Sequence, residues 1–256
     1  MWNAIDYSQQ SSAQTQWAHE LLIKLSLRGD EHVLDVGCGT GKITALFAEQ
    51  VPDGAVLGID FSAEMIDFAQ REYQWPNLAF CQMDAAAIKL DAMFDVVFSN
   101  ATLHWVADHA AVLRGTRQHM QPGGKILWQM GGEGNAQDVL TAVNEVIDRA
   151  EWRDYFEDFA LPYNFCGPAL YTDLLPQTGF NPARVELIPK TMVHTLDGFK
   201  GWLRTTWFPY TNQVPADQRA TLIEQFAAAY LAAHPLDANG CVQIAMVRLE
   251  VEARAV

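Results

Sequence analysis

The stretch Val33-Leu-Asp-Val-Gly-Cys-Gly-Thr-Gly41 decides the fold of this 256-residue chain. Its first half is a short apolar run that is typical of a buried strand. Residues 42–50, directly after it, carry apolar side chains at helical spacing. Three alternating glycines between a strand and a helix let the backbone turn tightly and approach a ligand closely. Their spacing is GxGxG, which differs from the GxGxxG of dinucleotide-binding loops.

Strand and helix signals continue to alternate on the carboxyl side of this glycine loop. Ser62 is a natural N-cap, so a helix is predicted to begin there, and another is predicted from Asp108. Repeated strand–helix units predict an α/β fold, a doubly wound parallel sheet with helices on both faces. Further strands are predicted over 55–59, 78–82, 94–99, 125–130, 184–194 and 242–251.

The composition excludes several classes of protein. The chain has 17 Lys and Arg against 31 Asp and Glu, a net charge of −14, which disfavours binding to nucleic acid. Its four cysteines form no CxxC pair, and its seven histidines form no HxxxH pair, so no metal site is predicted. No segment approaches the ~20 apolar residues of a membrane-spanning helix. We therefore expect a soluble, cytoplasmic protein without membrane insertion.

Three aspartates stand at the carboxyl ends of the first three predicted strands. Asp60 can accept two hydrogen bonds from ribose hydroxyls, and Asp84 can accept one from an adenine amino group. Asp35, just before the glycine loop, is an acceptor for a positively charged group of the ligand. Phe61 and Met65 can pack on the base. Together these residues predict a nucleoside site.

Five ordered segments carry a family resemblance: VLDVGCGTG (33–41), GIDFSAEMI (58–66), QMDA (82–85), FDVVFSNATLHW (94–105) and QPGG (121–124). Over about residues 5–130 the chain resembles the class I S-adenosylmethionine-dependent methyltransferases. The resemblance implies a Rossmann-like seven-stranded sheet with an antiparallel last strand, which binds S-adenosyl-L-methionine and releases S-adenosyl-L-homocysteine. It implies the following contacts with the cofactor: Gly37, Gly39 and Gly41 with the methionine part, Asp60 with the ribose, Asp84 and Ala85 with the adenine, and Asn100 on the methyl-transfer side.

The segment from Ser99 to His109 is similar to that of the trans-aconitate, insect juvenile hormone acid and plant carboxyl methyltransferases. In those families a tryptophan indole N–H and an N-terminal glutamine contact the substrate carboxylate, which implies these catalytic roles for Trp105 and Gln14. Tyr7 completes the N-terminal Tyr-x6-Gln pattern and is expected at the cofactor. The resemblance therefore implies formation of a methyl ester on a small molecule.

The acceptor atom decides whether the enzyme needs a base. A carboxylic acid with a pKa of ~4.3 is ionised at neutral pH and needs only neutral donors to align it. Nitrogen, phenol or carbon acceptors need a base, and His104 is the candidate, although it can equally be a substrate donor or a buried histidine. His109 and His19 are predicted at the surface. The alternative function is therefore N-, O- or C-methylation of a natural product.

The carbon skeleton of the substrate is the feature that the sequence determines least. Thirteen aromatic residues between 151 and 210 form either a second core or a lid over an apolar ligand. Few cations are available to bind trans-aconitate, which carries three carboxylates, so an apolar carboxylic acid is favoured. The acidic net charge disfavours a malonyl-carrier protein, although its methyltransferase shares these motifs. The cations that could bind the carboxylates of trans-aconitate are Arg153, Arg184, Lys190, Lys200 and Arg204.

One domain is predicted over residues 1–256, with a nucleotide-binding core at about 30–130. Helical lid elements are predicted at about 1–26, 135–180 and 196–235, and the segment 6–25 is expected to close over bound ligands. Two other classes of protein stay open at this stage. One is a nicotinamide-dependent oxidoreductase, against which the GxGxG spacing counts, and the other is a module that senses the nucleoside without turnover.

Overall fold

The computed structural model describes the backbone of residues 12–256 and the side chains from Trp17 onward, so Tyr7 and the side chain of Gln14 lie outside the described part. The strands are β1 (His32–Val36), β2 (Ala55–Asp60), β3 (Leu78–Gln82), β4 (Phe94–Asn100), β5 (Met120–Gly131), β6 (Phe180–Thr195) and β7 (Cys241–Ala255). The α-helices are α1 (Ser12–Leu25), α2 (Lys42–Gln50), α3 (Ala63–Glu72), α4 (His109–Gln118), α5 (Gln137–Ile147), α6 (Pro168–Gln177), α7 (Leu196–Thr206), α8 (Phe208–Thr211) and α9 (Arg219–Ala233).

The seven strands form one sheet in the order β3-β2-β1-β4-β5-β7-β6. β1 pairs in parallel with β2 and β4, and β5 continues this parallel part beyond β4. β7 runs antiparallel to both of its neighbours, β5 and β6. This is the Rossmann-like doubly wound sheet with a reversed last strand that the sequence predicts, and the prediction of the fold is confirmed.

The strand order reverses direction between β1 and β4, which are neighbours in the sheet although β2 and β3 lie between them in the chain. In open α/β sheets the crevice outside the carboxyl ends of the strands at such a point is where ligands bind. The glycine loop follows β1, and the segment from Asn100 to Asp108 follows β4. Both segments therefore face the same crevice.

Helix α1 packs firmly against the sheet over its second half. Leu21 is fully buried and lies in one apolar cluster with Phe47 of α2 and Phe98 of β4. Lys24 of the same helix donates hydrogen bonds to both carboxylate oxygens of Glu250 in β7, at 2.7 and 3.0 Å. The carboxyl-terminal half of the predicted 6–25 lid is thus part of the core.

The aromatic segment 151–210 forms a second core, which is the first of its two interpretations. Its buried members pack on one another and on residues of α5, α9 and β7. Trp202 and Trp207, for example, meet edge to face with ring centroids 5.6 Å apart. The members of this cluster that come from the aromatic segment are Trp152, Phe156, Tyr163, Phe199, Trp202, Trp207 and Tyr210.

Candidate functional site

A cavity of about 590 Å³ opens at the crevice between β1 and β4. Its volume lies within the ~300–1,000 Å³ typical of small-molecule sites. Ten residues that the sequence predicts for the site line it: Asp35, Gly37, Gly39, Asp60, Phe61, Met65, Asp84, Ala85, Asn100 and Trp105.

The three glycines of the loop share a backbone conformation but differ in what surrounds them. All three have positive φ, +76° at Gly37, +53° at Gly39 and +78° at Gly41. A Cβ at Gly37 would lie 2.0 Å from Thr102 Cγ2, and one at Gly41 would lie 2.7 Å from the Phe80 ring, so these two glycines permit close packing. A Cβ at Gly39 would meet no atom within 4 Å. Gly39 therefore offers open backbone to a ligand in the cavity.

The carboxylate of Asp60 is held by the backbone at both oxygens. Gly39 N donates to Oδ2 and Ser62 N donates to Oδ1, each at 2.9 Å. Burial raises the pKa of Asp60, while these two hydrogen bonds act in the opposite direction. Each carboxylate oxygen can accept more than one hydrogen bond, so Asp60 can still receive two ribose hydroxyls.

The aromatic ring of Phe61 is exposed at the cavity, whereas Met65, one helical turn beyond it, is buried. Ser62 caps α3 through its side chain, as predicted, which fixes the direction of this helix. Asp84 caps the short 3₁₀ turn Ala85–Ala87 by accepting a hydrogen bond from Ala86 N at 2.9 Å. Apolar surface on one side and a fixed carboxylate on the other suit a flat base that carries an amino group.

Asp35 is the buried acid of the site. Its Oδ2 accepts a hydrogen bond from Thr44 Oγ1 at 2.7 Å. Burial raises the pKa of Asp35 to about 7, and the nearby charge of Asp60 acts in the same direction. A cationic group that enters the cavity beside Asp35 would favour its ionised form.

The turn after β4 is tied to the glycine loop. Thr102 Oγ1 donates to the Gly37 carbonyl at 3.0 Å. Ala101 N donates to the Gln129 carbonyl at 2.7 Å. Ala101 has a φ of +57°, a left-handed conformation that is strained for a residue with a Cβ. This strained turn sets where Asn100 and Trp105 meet the cavity.

Trp105 joins the cavity to the aromatic core. Its ring stacks on Phe208 at 5.6 Å and meets Tyr163 edge to face at 4.7 Å. It also lines the cavity together with Asn100. In the sheet, β1 lies between β4, which ends at Asn100, and β2, which ends at Asp60, so Asn100 and Trp105 lie on the β4 side of the cavity.

His104 is not part of the described wall of the cavity, although its neighbour Trp105 is. Its Nδ1 accepts a hydrogen bond from Gly131 N at 3.4 Å, which places a ring proton on Nε2. Burial, with a contribution from the positive charge of Arg248, lowers the pKa of His104 to about 3. His104 is therefore a neutral, buried side chain, and this position does not favour a role as the base.

The prediction that His109 lies at the surface is wrong. His109 is buried, and its Nδ1 lies 2.6 Å from the hydroxyl of Tyr171 in α6. Cys166 Sγ lies 3.6 Å from its Nε2. The partners come from more than fifty residues away in the chain, so the local sequence does not reveal them. His19 is exposed, as predicted.

The electrostatic character of the described wall is acidic. It contains four aspartates, Asp35, Asp60, Asp84 and Asp108, and Lys42 is its one basic side chain. Lys42 and Thr102 line the cavity without having been predicted from the sequence, although Lys42 follows the glycine loop directly. None of the five cations considered from the sequence lines the cavity.

The cavity fits S-adenosylmethionine. It combines open backbone at Gly39, a diol-binding carboxylate at Asp60, an apolar surface for the base and an acid beside the loop for a cationic group. No group of three or more His, Cys, Asp or Glu side chains in the described part could hold a metal ion. No helix in that part is long and apolar enough to cross a membrane.

Comparisons with known proteins identify the family of the chain. Residues 33–124 match the family model described as a methyltransferase domain. The trans-aconitate 2-methyltransferase of Paracidovorax citrulli is 30% identical over 257 residues, covering 99% of this chain and 98% of that protein. The enzyme of the same name from Methylobacterium radiotolerans is 30% identical over 262 residues, with 99% and 98% covered.

A solved structure, a putative methyltransferase from Bacillus halodurans, has the same fold. Its TM-score is 0.62 at 18% identity, and the match covers 93% of this chain and 97% of that one. The chain belongs to the S-adenosylmethionine-dependent methyltransferases, and S-adenosylmethionine is its methyl donor. Within that class it is similar along its length to proteins named trans-aconitate 2-methyltransferase.

Proposed function

We propose that the enzyme transfers the methyl group to a carboxylate oxygen of a small organic acid and so forms a methyl ester. The observation that carries this proposal is the composition of the acceptor side of the cavity. Trp105 stands in the wall there, and no histidine lines the described part of the wall. The nearest histidine in sequence, His104, is buried and neutral.

This composition suits an acceptor that arrives already ionised. S-adenosylmethionine supplies an activated methyl group on a positively charged sulfur. A carboxylate can accept it without losing a proton, so the protein has only to align the oxygen and exclude water. An amine, phenol or carbon acceptor must lose a proton, and a histidine whose pKa is about 3 is a poor base at neutral pH.

The indole N–H of Trp105 is proposed to donate to the acceptor carboxylate, with the side-chain amide of Gln14 as the second donor. A neutral donor holds the oxygen without neutralising it. The rings of Tyr163 and Phe208 fix the plane of the indole, so the direction of its N–H is set before the substrate arrives. Gln14 belongs to α1, one helical turn before Trp17.

The carbon skeleton of the acid, apolar or polycarboxylic, is a separate question from the acceptor atom. The sequence favours an apolar acid on two grounds, the scarcity of cations and the aromatic segment 151–210. None of the aromatic side chains of that segment lines the described cavity. The relatives' name, trans-aconitate 2-methyltransferase, points instead to a small polycarboxylic acid. Both kinds of acid belong in the first assay.

The assay uses S-adenosylmethionine labelled in the methyl group with fatty, isoprenoid, aromatic and tricarboxylic acids. Mild base is then applied, and the label is scored as volatile methanol. Base-labile label supports a carboxyl ester. Base-stable label, with no base-labile label on any acid, would refute the proposal and favour N-, O- or C-methylation.

Trp105→Phe keeps an aromatic side chain but removes the indole N–H. A hydrogen bond to a charged group contributes about 1.5–3 kcal/mol, so kcat/KM should fall roughly 10- to 150-fold. Trp207→Phe is the matched control, because the indole N–H of this core tryptophan makes no hydrogen bond to the described residues. Equal activity of both variants would exclude the proposed role of Trp105.

A further inference from the structure

The face of the sheet that carries the cavity continues beyond the described wall. Phe98 and Asn100 of β4 line the cavity. Asn100 is paired in the sheet with Gln129 of β5, and Gln129 with Glu250 of β7. Side chains of residues paired across strands point to the same face, as do those two residues apart in one strand. Arg248, opposite Gly131, therefore belongs to this face, one pair nearer its carboxyl edge.

Strand spacing gives the distance between the two positions. Two strand intervals of about 4.8 Å and one two-residue step of about 6.8 Å place the Cα of Arg248 roughly 12 Å from that of Asn100. An arginine side chain and a small polycarboxylic acid together can span this distance. Arg248 also acts on the residue before Trp105, because its positive charge contributes to the lowered pKa of His104.

Arg248 is a buried cation with 3% of its surface exposed. Its guanidinium carbon lies 5.1 Å from the ring centre of Trp17 in α1, an arrangement that holds the planar group by a cation–π contact. Trp17 is one helical turn after Gln14 in the same helix. The helix that carries the proposed amide donor thus also covers this arginine.

Arg184, on the neighbouring strand β6, has a different environment. It forms ion pairs with Glu186, Glu250 and Glu252. Glu250 is in turn bonded to Lys24 and Gln129. The guanidinium of Arg184 is therefore paired with three glutamates, and Arg184 serves as the control position for substitutions of Arg248.

We propose that Arg248 binds a second carboxylate of the acceptor, one that is not methylated, and so selects acids with more than one carboxylate. This inference rests on the proposed carboxyl methylation. A guanidinium presents two parallel N–H donors that match a carboxylate, and Arg is suited to this role where the site is dry. The methylated carboxylate lies at Trp105, and the second lies toward β7.

The test measures the ratio of two specificities. Arg248→Met, Arg248→Lys and the control Arg184→Met are assayed with a tricarboxylic acid and with a monocarboxylic acid of similar carbon skeleton. Arg248→Met should lower kcat/KM for the tricarboxylate by roughly 30-fold or more, the usual effect of truncating one member of a buried charge pair. It should leave the monocarboxylate nearly unchanged, and Lys should restore part of the loss. Arg184→Met should not alter the ratio.

A binding measurement accompanies the assay. Calorimetric titration of the tricarboxylate into enzyme loaded with S-adenosylhomocysteine should show the same loss of affinity in Arg248→Met. Equal losses for both acids would show that Arg248 only supports the fold, and this would overturn the inference while esters still form. If the wild-type enzyme forms no ester with any acid, the proposed function fails first and the inference fails with it.

Discussion

Asp35→Asn tests the electrostatics of the cavity directly. The carboxylate of Asp35 is buried and bonded to Thr44, and its pKa is raised from 3.8 to about 7. Asparagine has the same shape and retains an oxygen for the Thr44 hydroxyl, but it does not titrate. The two proteins therefore differ in the charge at this one position.

The sign of the effect follows from proton binding. Between about pH 4 and pH 7 the folded protein keeps a proton on Asp35 that the unfolded chain releases, so the wild-type protein loses stability as the pH rises through this window. A pKa raised from 3.8 to about 7 corresponds to a loss of about 3 kcal/mol between pH 5 and pH 8.5. Asp35→Asn should lack this loss.

Urea denaturation of the ligand-free proteins at five pH values from 5 to 8.5 measures the difference. The variant should gain about 3 kcal/mol relative to the wild type across this range. Asp53→Asn, at an exposed position, controls for the removal of one charge. A difference between wild type and Asp35→Asn that stays constant within about 0.5 kcal/mol would show that Asp35 does not titrate in this range.

Three other substitutions probe the site and its support. Gly39→Ala should cost about 1–2 kcal/mol of stability, because Gly39 has a positive φ. In calorimetry it should also weaken the binding of S-adenosylhomocysteine roughly tenfold or more, because a Cβ enters the cavity. Unchanged binding would show that Gly39 is not part of the cofactor site. Tyr171→Phe should lower the free energy of unfolding, measured by urea denaturation, by about 1–3 kcal/mol, because His109 loses its buried hydrogen-bond partner. An unchanged free energy would mean that water replaces the hydroxyl. His104→Gln should lower kcat/KM by well under the roughly 100-fold that a general base contributes, and a larger loss rescued at high pH would restore the base hypothesis.

The parallel half of the sheet is the part that sequence reasoning predicts well. Its strands are short apolar runs bounded by turn residues, so their positions depend on local chemistry alone. The glycine loop and the three aspartates follow from the same logic, because side chains at the ends of parallel strands must meet at one edge. Ser62 likewise caps α3 as predicted.

The features that the sequence does not predict depend on contact partners that are distant in the chain. His109 follows a helix-capping aspartate and looks solvated, yet Tyr171 closes over it. The aromatic segment gives no local sign of whether its rings face a ligand or one another; its partners come from α5, α9 and β7. Arg248 lies in a strand of mixed polarity, and only the pairing of β7 with β5 places it on the face that carries the cavity.

The position of β7 between β5 and β6 has a consequence for synthesis on the ribosome. β6 leaves the ribosome first, and β7, its one neighbour among the strands that the structure describes, follows as residues 241–255. Sixty residues separate the ends of the two strands, 195 and 255, which corresponds to on the order of 3–12 s at common rates of translation. During that interval the sixteen residues of β6 lack the strand with which they pair in the folded sheet. A nascent chain of this enzyme should therefore depend on chaperones most strongly after the cofactor-binding half has been made and before β7 has emerged.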